Sequence, residues 1–412
     1  MQKEKKFFTL LITVLCFNIS LSAKTPKLWD VGRLLRNPPK TESGATIEKS
    51  GCTIQEVFYE GEPYHGKPTK VFAYLAIPKG VVPTKKFPAV LLLHGGGGKA
   101  FSDWAELWGN RGYVALAMDL AGCDADGKPH EQAGPGQDDE TKFRDFDINN
   151  PGGVRDMWTY QAVAAVLRGH SLLVARKDVD SKRIAETGIS WGGYLSCILA
   201  TVDTKLVASV PVYGCGFIHE SSVWTGEVPV FGKMTESQCT KWVSLFDPSS
   251  YLDKTKCPML MINSPTDFAY HIDSYQKSYN LAKSHNKQVS LSLIVGLPHY
   301  HNWEIKEVEA FIDAYCLKTK PLATVGVPKI NGSEMQATFT ADVLIKEAAL
   351  CYTTDTNVPP QCQWQSIPAQ LNGNSVSAGI PAERPIRCFL QVTDERGLKT
   401  SSTYIDITDF IR

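Results

Sequence analysis

The sequence has no excess of charge of either sign, because Lys and Arg together number 43 and so do Asp and Glu. Proteins that bind nucleic acid or an anionic membrane surface usually carry a basic excess, so neither partner is expected. Beyond the N-terminus there is no apolar run close to the ~20 residues that a membrane-spanning helix needs. The eleven cysteines form no Cys-x-x-Cys pair, and there is neither an internal repeat nor a low-complexity segment. The remaining possibility is a globular chain, 43% hydrophobic, whose length favours two domains.

The N-terminus has the three parts of a secretory signal peptide. Three lysines lie within residues 3–6, Phe7–Phe17 is apolar, and small residues follow at 20–23. The apolar part is too short to span a membrane, and a lipoprotein anchor on Cys16 is not expected because the residue before it is not small. We therefore predict a cleaved signal peptide over residues 1–23 and a secreted or periplasmic protein.

Continuous apolar runs alternate with helix-length segments through most of the chain. A run such as Ala89–Leu93 has no polar face, which is typical of a strand buried on both sides. Strands that alternate with helices indicate βαβ units, so residues 24–320 are predicted to form an α/β domain with a doubly wound, mostly parallel sheet. Within this domain, residues 24–70 are expected to lie on the surface of the core as a mixed segment, and 120–153 and 214–256 to be long loops. The predicted strands are 71–77, 89–93, 113–118, 183–188, 206–213, 258–263 and 289–295, and the predicted helices are 154–175, 191–200, 274–283 and 304–317.

The pattern changes after the last predicted helix. From residue 321 to 412 the segments are short, β-branched and separated by turn residues such as Asn372-Gly373. This pattern predicts a C-terminal all-β domain, an immunoglobulin-like sandwich. In a compartment that permits disulfides, two of its three cysteines are candidates for a bridge. These cysteines are Cys351, Cys362 and Cys388.

One short stretch, Gly188–Gly193, contains the pattern Gly-x-Ser-x-Gly. A predicted strand precedes it and a predicted helix follows it, as in a nucleophile elbow, where a sharp turn exposes a serine hydroxyl at the end of a sheet. Glycines on either side permit that turn, because side chains there would clash. Ser190 is therefore the candidate nucleophile.

A serine nucleophile needs a histidine base and a carboxylate that orients the histidine. In one known chain order the serine is followed first by the acid and then by the histidine, each after a strand. Asp267 follows the predicted strand 258–263 and is the favoured acid, with Asp273 as the alternative. His299 is the favoured base, with His301 as the alternative. The His-x-His pair could instead bind a metal, but the sequence offers no matching cluster of ligands.

The stretch His94–Gly98 follows another apolar strand and contains four consecutive glycines. Bare glycine backbone allows N–H groups to face the negative oxygen that develops during acyl transfer. The predicted donors are the N–H of Trp191, just after the nucleophile, and that of Gly96 or Gly97. His94 is expected to brace this loop, because its chain position does not suit the base.

These stretches together resemble the α/β-hydrolase superfamily, in the branch that holds dienelactone hydrolases, acetyl xylan esterases and the catalytic domains of prolyl oligopeptidase-type enzymes. The resemblance covers roughly residues 60–320. It implies Ser190 as nucleophile, Asp267 as acid and His299 as base, in an enzyme that needs no cofactor. The motifs that carry it are HGGGG (94–98), GISWGGY (188–194), NSPTDFAY (263–270) and GLPHYHNW (296–303).

The resemblance and the predicted export favour a secreted serine carboxylesterase that removes acetyl or related acyl groups from plant-type polysaccharides. Aromatic rings stack on sugar faces, so Trp224 and Trp303, together with His301, are candidate contacts for an acylated carbohydrate or another small ester. The main alternative is a prolyl oligopeptidase-type serine peptidase, although the segment before the hydrolase core is short for the propeller of those relatives. An inactive hydrolase fold that only binds a ligand is the remaining alternative, and the four intact elements argue against it.

Overall fold

The computed structural model describes residues 28–80, 86–137, 143, 151–301, 303–357, 359–382 and 387–407; the predicted signal peptide, residues 1–23, lies outside them. The helices are α1 (Val31–Arg36), α2 (Ser102–Asn110), α3 (Pro151–Arg155), α4 (Trp158–Ala175), α5 (Trp191–Val202), α6 (Glu236–Phe246), α7 (Ile272–His285) and α8 (Lys306–Cys316). The strands are β1 (Thr41–Glu48), β2 (Cys52–Glu60), β3 (Lys70–Pro78), β4 (Phe87–Leu93), β5 (Val114–Met118), β6 (Val179–Ile189), β7 (Ser209–Val212), β8 (Met259–Asn263), β9 (Val289–Leu293), β10 (Thr324–Val325), β11 (Lys329–Asn331), β12 (Glu334–Thr340), β13 (Ile345–Thr353), β14 (Gln365–Pro368), β15 (Gln370–Asn372), β16 (Ser375–Gly379), β17 (Arg387–Asp394), β18 (Lys399–Ser401) and β19 (Ile405–Asp406). Short 3-10 turns lie at Phe231–Lys233, Pro248–Ser250, Leu252–Lys254 and Pro359–Gln361. Within the described ranges, no helix is long and apolar enough to cross a membrane.

The first nine strands form one twisted sheet in the order β1-β2-β3-β5-β4-β6-β7-β8-β9. From β5 to β9 all neighbours are parallel, and β1, β2 and β3 add an antiparallel edge. Every residue of β5, β8 and β9 is buried. This burial explains the apolar runs of β5 and of residues 259–262 in β8, whereas β9 alternates apolar residues with Ser290 and Ser292. The predicted α/β-hydrolase fold with a mostly parallel sheet is confirmed.

The sequence predicted that residues 24–70 lie on the surface of the core, but part of this segment belongs to the main sheet. Residues 41–60 form β1 and β2, and β2 pairs along its whole length with β3. The side chains of β1 are nearly all exposed, so this edge strand carries no hydrophobic pattern that could reveal it. β2 does have alternate buried residues, Cys52, Ile54, Val57 and Tyr59, and this signal was available in the sequence.

The single helix predicted over 154–175 is interrupted. α3 ends at Arg155 and α4 starts at Trp158, because Met157 between them takes an extended conformation and is buried in the core. The indole N–H of Trp158 donates to the carbonyl of Leu120 at 2.7 Å. This bond fixes the start of α4 against the loop that follows β5.

The C-terminal strands form two antiparallel sheets, as predicted. One contains β10, β12, β16 and β15, with β11 on β12, and the other contains β14, β13, β17 and β18, with β19 on β17. A shared apolar core lies between them, with Met335 and Val376 from the first sheet and Leu350 and Leu390 from the second. The region is therefore a β-sandwich. The ten cysteines from Cys52 to Cys388 are all free thiols, so the bridge considered for the C-terminal region is not present.

Candidate active site

Ser190 lies in a sharp turn between β6 and α5. Its backbone has φ 58° and ψ −116°, a strained conformation for a residue other than glycine. The N–H of Ser190 donates to the carbonyl of Val212 at 2.9 Å, which ties the turn to the neighbouring strand β7. The turn therefore places the serine at the carboxyl end of the parallel sheet, where α/β folds build their sites.

The glycines around Ser190 are required by close approach of the backbone. A Cβ atom on Gly188 would lie 2.2 Å from the carbonyl oxygen of Gly192, and one on Gly192 would lie 2.1 Å from that of Leu93. No side chain fits at such distances, so only glycine allows α5 to begin this close to β4 and β6. This packing brings the serine next to the loop that follows β4.

The structure brings together Ser190 and the favoured acid and base of the sequence analysis. His299 Nε2 lies 2.9 Å from Ser190 Oγ, and His299 Nδ1 lies 2.6 Å from Asp267 Oδ2. The other carboxylate oxygen of Asp267 accepts the N–H groups of Ala269 at 3.0 Å and Tyr270 at 2.7 Å. With Nδ1–H donating to the carboxylate, the lone pair of Nε2 faces the serine hydroxyl, as a general base requires.

The alternative acid has a different partner. Asp273 Oδ1 accepts a hydrogen bond from the Tyr404 hydroxyl at 2.5 Å, so it contacts the C-terminal sandwich and not a histidine. Among the described residues, no group of three His, Cys, Asp or Glu side chains is placed to hold a metal ion.

Two aromatic residues that the sequence analysis did not single out lie against His299. The ring of Tyr213 stacks on the imidazole with centroids 4.5 Å apart and an interplanar angle of 20°, and its hydroxyl donates to the carbonyl of Pro298 at 2.7 Å. Phe268 packs on the same imidazole at 4.8 Å and is 54% exposed. Tyr213 has a positive φ of 66°, and no sequence pattern predicts this backbone conformation or the position of its ring. Phe268, by contrast, directly follows the predicted acid.

His94 holds the glycine loop and the loop after β5 together. Its Nδ1 lies 2.8 Å from the carbonyl of Gly95, and its Nε2 accepts the N–H of Leu120 at 2.8 Å. Burial lowers the pKa of His94 to about 4, so the imidazole is neutral near pH 7 and can make both hydrogen bonds. His94 therefore lies where the sequence predicted it, in contact with the glycine loop that it was expected to brace.

The N–H groups of the glycine loop divide into two pairs. That of Gly95 donates to His301 Nε2 at 3.2 Å, and that of Gly98 donates to the carbonyl of Gly95 at 3.1 Å. Within the described ranges, the N–H groups of Gly96 and Gly97 have no hydrogen-bond partner. Burial lowers the pKa of His301, which favours the neutral form that accepts the Gly95 N–H.

The two tryptophans predicted to contact substrate pack against different parts of the structure. Trp303 is partly buried and stacks on Trp104 of α2 with centroids 6.0 Å apart. Trp224 is buried against Trp191, 4.6 Å away, in an aromatic cluster behind the nucleophile. His301 contacts the glycine loop through the N–H of Gly95, and its ring packs on Phe101 at 4.9 Å.

The sheet topology and the serine at a strand-to-helix turn define an α/β-hydrolase. The chain belongs to the acetyl xylan esterase (AXE1) family, whose model matches residues 35–263. That match includes Ser190 and ends before Asp267 and His299.

Solved structures of two acetyl xylan esterases share this fold. The enzyme from Paenibacillus sp. R4 is 21% identical with a TM-score of 0.55, over 69% of this chain and 92% of its own. Acetyl xylan esterase 1 from Thermoanaerobacterium sp. JW/SL YS485 is 17% identical with a TM-score of 0.53, over 70% of this chain and 92% of its own. At such identities the similarity shows the fold alone.

A peptidase is also similar in sequence. Dipeptidyl-peptidase 5 of Schizosaccharomyces pombe is 20% identical over 268 residues, which are 60% of this chain and 36% of the peptidase. The chain therefore spans little more than a third of that relative's length. Hydrolases of both ester and peptide bonds are thus among the proteins that it resembles.

Proposed function

We propose that this protein is a secreted serine carboxylesterase that removes acetyl or related acyl groups from carbohydrate. The observation that carries the proposal is the continuous set of hydrogen bonds from Asp267 through His299 to Ser190, with distances of 2.6 and 2.9 Å. Membership of the acetyl xylan esterase family supports the choice of an ester as the bond that is cleaved.

The reaction proceeds in two acyl-transfer steps. His299 Nε2 takes the proton of the Ser190 hydroxyl as the oxygen attacks the ester carbonyl carbon. The tetrahedral intermediate collapses, the bond to the alcohol breaks, and His299 returns the proton to the leaving alcohol. Water then attacks the acyl-serine with His299 again as the base, which releases the carboxylic acid and restores the serine. Asp267 keeps the imidazole in the required tautomer throughout.

Two backbone N–H groups stabilise the oxyanion in this proposal. One belongs to Trp191, the first residue of α5, and the other to Gly96 or Gly97. Gly96 is the better candidate, since a Cβ atom there would lie 2.9 Å from the Trp191 ring, whereas the Cβ position of Gly97 faces open space. Of these two glycines, Gly96 is therefore the one that packs on the elbow residue Trp191, while Gly95, whose N–H already donates to His301, packs on Ser190 itself. A preorganised donor of this kind contributes about 3 kcal/mol to transition-state stabilisation.

A carbohydrate substrate is supported by the surroundings of His299. The leaving alcohol must lie next to Nε2 of His299, because that atom protonates it. Phe268 beside the imidazole is 54% exposed, and Tyr300 next along the chain is 56% exposed. Exposed aromatic rings at this position offer flat surfaces to a sugar ring. His301 and Trp303 are the further contacts that we propose on the side of the glycine loop. Trp224, predicted as a substrate contact, is buried against Trp191 and is proposed only to support that residue.

A serine peptidase is the second candidate, favoured by the similarity to dipeptidyl-peptidase 5. The same triad chemistry cleaves amides, so only a comparison of substrates can distinguish the two activities.

The test is hydrolysis of acetyl, butyryl and feruloyl esters and of acetylated xylan, beside an Ala-Pro anilide, with Ser190→Ala as the control. Turnover of esters that is lost in Ser190→Ala, with the anilide uncleaved, is the expected result. Cleavage of the anilide in preference to every ester would contradict the esterase proposal and identify the protein as a peptidase. Secretion is tested separately, by the N-terminal sequence of protein recovered outside the cytoplasm.

A further inference from the structure

The strand that leads to His299 is the last strand of the main sheet, and the C-terminal sandwich covers its edge. Strand β9 pairs with β8 on one side, and the outward backbone groups of Leu293 face the sandwich instead of a tenth strand. Ser401 Oγ accepts the N–H of Leu293 at 2.9 Å, and Gln391 Nε2 donates to its carbonyl at 2.7 Å. Gln391 and Ser401 are opposite each other in the β17–β18 pair, so two adjacent side chains replace a neighbouring strand.

A second contact joins both ends of the loop that carries His299. This loop, residues 294–305, lies between β9 and α8. The carbonyl of Lys399 accepts a hydrogen bond from Ser292, just before the loop, at 2.6 Å. The N–H of the same Lys399 donates to Glu307, in the first turn of α8, at 2.9 Å. One residue of the sandwich therefore spans the base of the histidine loop.

A third contact reaches the element that follows the acid. Helix α7 begins at Ile272, shortly after Asp267. The side-chain amide of Gln276 on this helix exchanges two hydrogen bonds with the backbone of Tyr404, at 2.7 and 3.0 Å. The Tyr404 hydroxyl also binds Asp273 in the first turn. The sandwich thus contacts both chain segments that supply the partners of the nucleophile.

We propose that the C-terminal sandwich is a positioning element of the active site, with Gln391 and Ser401 as its positioning residues. The inference rests on the proposed function, because it assigns a role in the same reaction. Gln391 is 7% exposed and Ser401 is 1% exposed, so their hydrogen bonds to Leu293 have little competition from water. Loss of these bonds allows the end of β9 to shift and moves His299 away from Ser190. A displacement of about 1 Å in a catalytic group can lower a rate by about 100-fold.

The test compares two matched pairs of substitutions in the sandwich. Gln391→Leu with Ser401→Ala removes both bonds to Leu293. The control is Gln336→Leu with Ser375→Ala, a Gln–Ser pair bonded at 3.0 Å on the exposed face of the other C-terminal sheet. On an acetyl ester we expect the first pair to lower kcat by about 10- to 100-fold with little change in KM, and the control to leave both constants near those of the wild type.

Two further measurements separate positioning from general stability and from the proposed function. Ser401→Thr keeps the hydroxyl and should retain most of the kcat that Ser401→Ala loses. The low-field proton resonance of the His299 Nδ1–H group should weaken or shift in the Gln391/Ser401 pair but not in the control, and it needs no ester turnover. A wild type without esterase activity would contradict the proposed function, whereas the resonance would still test the positioning. If the double variant does not fold, Ser401→Ala alone is used with the same readouts.

Unchanged kcat and an unchanged resonance in a folded Gln391/Ser401 variant would overturn the inference. Equal losses in the Gln391/Ser401 pair and in the Gln336/Ser375 control would overturn it as well, since both would then reflect stability of the sandwich.

Discussion

The proposed nucleophile and its two proposed partners are held in place by different kinds of structure. Ser190 is fixed by backbone packing, because Gly188 and Gly192 allow β4, β6 and α5 to meet at distances that exclude any side chain. Asp267 and His299 lie on loops whose ends are held by side-chain hydrogen bonds, several of them from the C-terminal sandwich. The first arrangement fails abruptly when an atom is added, and the second should weaken by degrees as single bonds are removed.

The difference also separates what the family similarity covers from what it does not. The match to the acetyl xylan esterase family ends at residue 263, after Ser190 and before Asp267. Asp267 and His299 lie outside that match, and their chain segments make the long-range hydrogen bonds with the C-terminal sandwich described above. Substitutions on the two sides therefore test the comparison directly.

The largest effect is expected at the histidine that contacts Ser190. His299→Gln should lower kcat for p-nitrophenyl acetate by about 10⁴-fold or more, because the base is lost. His301→Gln should lower kcat by about tenfold, because His301 accepts the N–H of Gly95 and so supports the glycine loop. Initial rates of both variants at saturating substrate check this ranking, and the reverse ranking would make His301 the base.

The two aspartates near the start of α7 should differ by nearly as much. Asp267→Asn keeps the shape of the side chain but no longer favours the tautomer of His299 that accepts the serine proton, so kcat should fall by about 10⁴-fold. Asp273→Asn should reduce kcat by less than about tenfold, because it disturbs only the contact with Tyr404. The comparison fails if the two substitutions reduce kcat equally while both proteins remain folded.

On the nucleophile side, one added methyl group should destabilise the fold. Alanine is the better helix former, yet its Cβ at position 192 would lie 2.1 Å from the Leu93 carbonyl oxygen. We expect Gly192→Ala to lower the free energy of unfolding by about 3 kcal/mol. Gly226→Ala is the matched control, because a Cβ there has no atom within 4 Å. Urea denaturation of both variants measures the difference, and similar midpoints would show that the elbow tolerates adjustment.

A smaller effect on the same side should depend on pH. Burial raises the pKa of Glu186, beneath α5, to about 7, and Asp203 adds to this rise. The Ser196 hydroxyl donates to its carboxylate at 2.6 Å, and Ser209 donates to the other oxygen. Because the folded pKa lies above the ordinary value of 4.5, the stabilisation from the protonated form is complete below pH 4.5 and is lost as the pH rises through 7.

Glu186→Gln removes this titration. The wild type should lose stability between pH 5 and pH 8, and the variant should not lose this part. The free energy of unfolding of the variant minus that of the wild type should therefore rise by about 1–3 kcal/mol over this range. Denaturant unfolding at the two pH values gives the change, and a constant difference between variant and wild type would mean that Glu186 does not titrate in this range.

The contrast between the two sides explains how far the sequence could be interpreted. The nucleophile elbow is local, so glycine spacing between a strand and a helix is sufficient to predict it. The positions of Asp267 and His299 after predicted strands also indicated that both lie near the carboxyl edge of the sheet. The stacking of Tyr213 on His299 and the contacts of Gln391 and Ser401 with Leu293 join residues far apart in the chain. No periodicity or motif records such pairs.

Edge strands were difficult for a related reason. Strand β1 pairs on one side only and its side chains face solvent, so no alternation of apolar residues marks it. The break between α3 and α4 depends on where Met157 and Trp158 are buried, and this is decided by tertiary packing. The strands of the central sheet, buried on both faces, were predicted to within a few residues.

The central claim is that Ser190 is a nucleophile activated by His299. The most direct measurement is reaction with a fluorophosphonate, which an activated serine oxygen attacks with loss of fluoride, followed by mass mapping of the labelled peptide. We predict one label per chain, on Ser190, with labelling slowed strongly in His299→Gln and little in His301→Gln. A label on another residue, or labelling of Ser190 that does not depend on His299, would contradict the account.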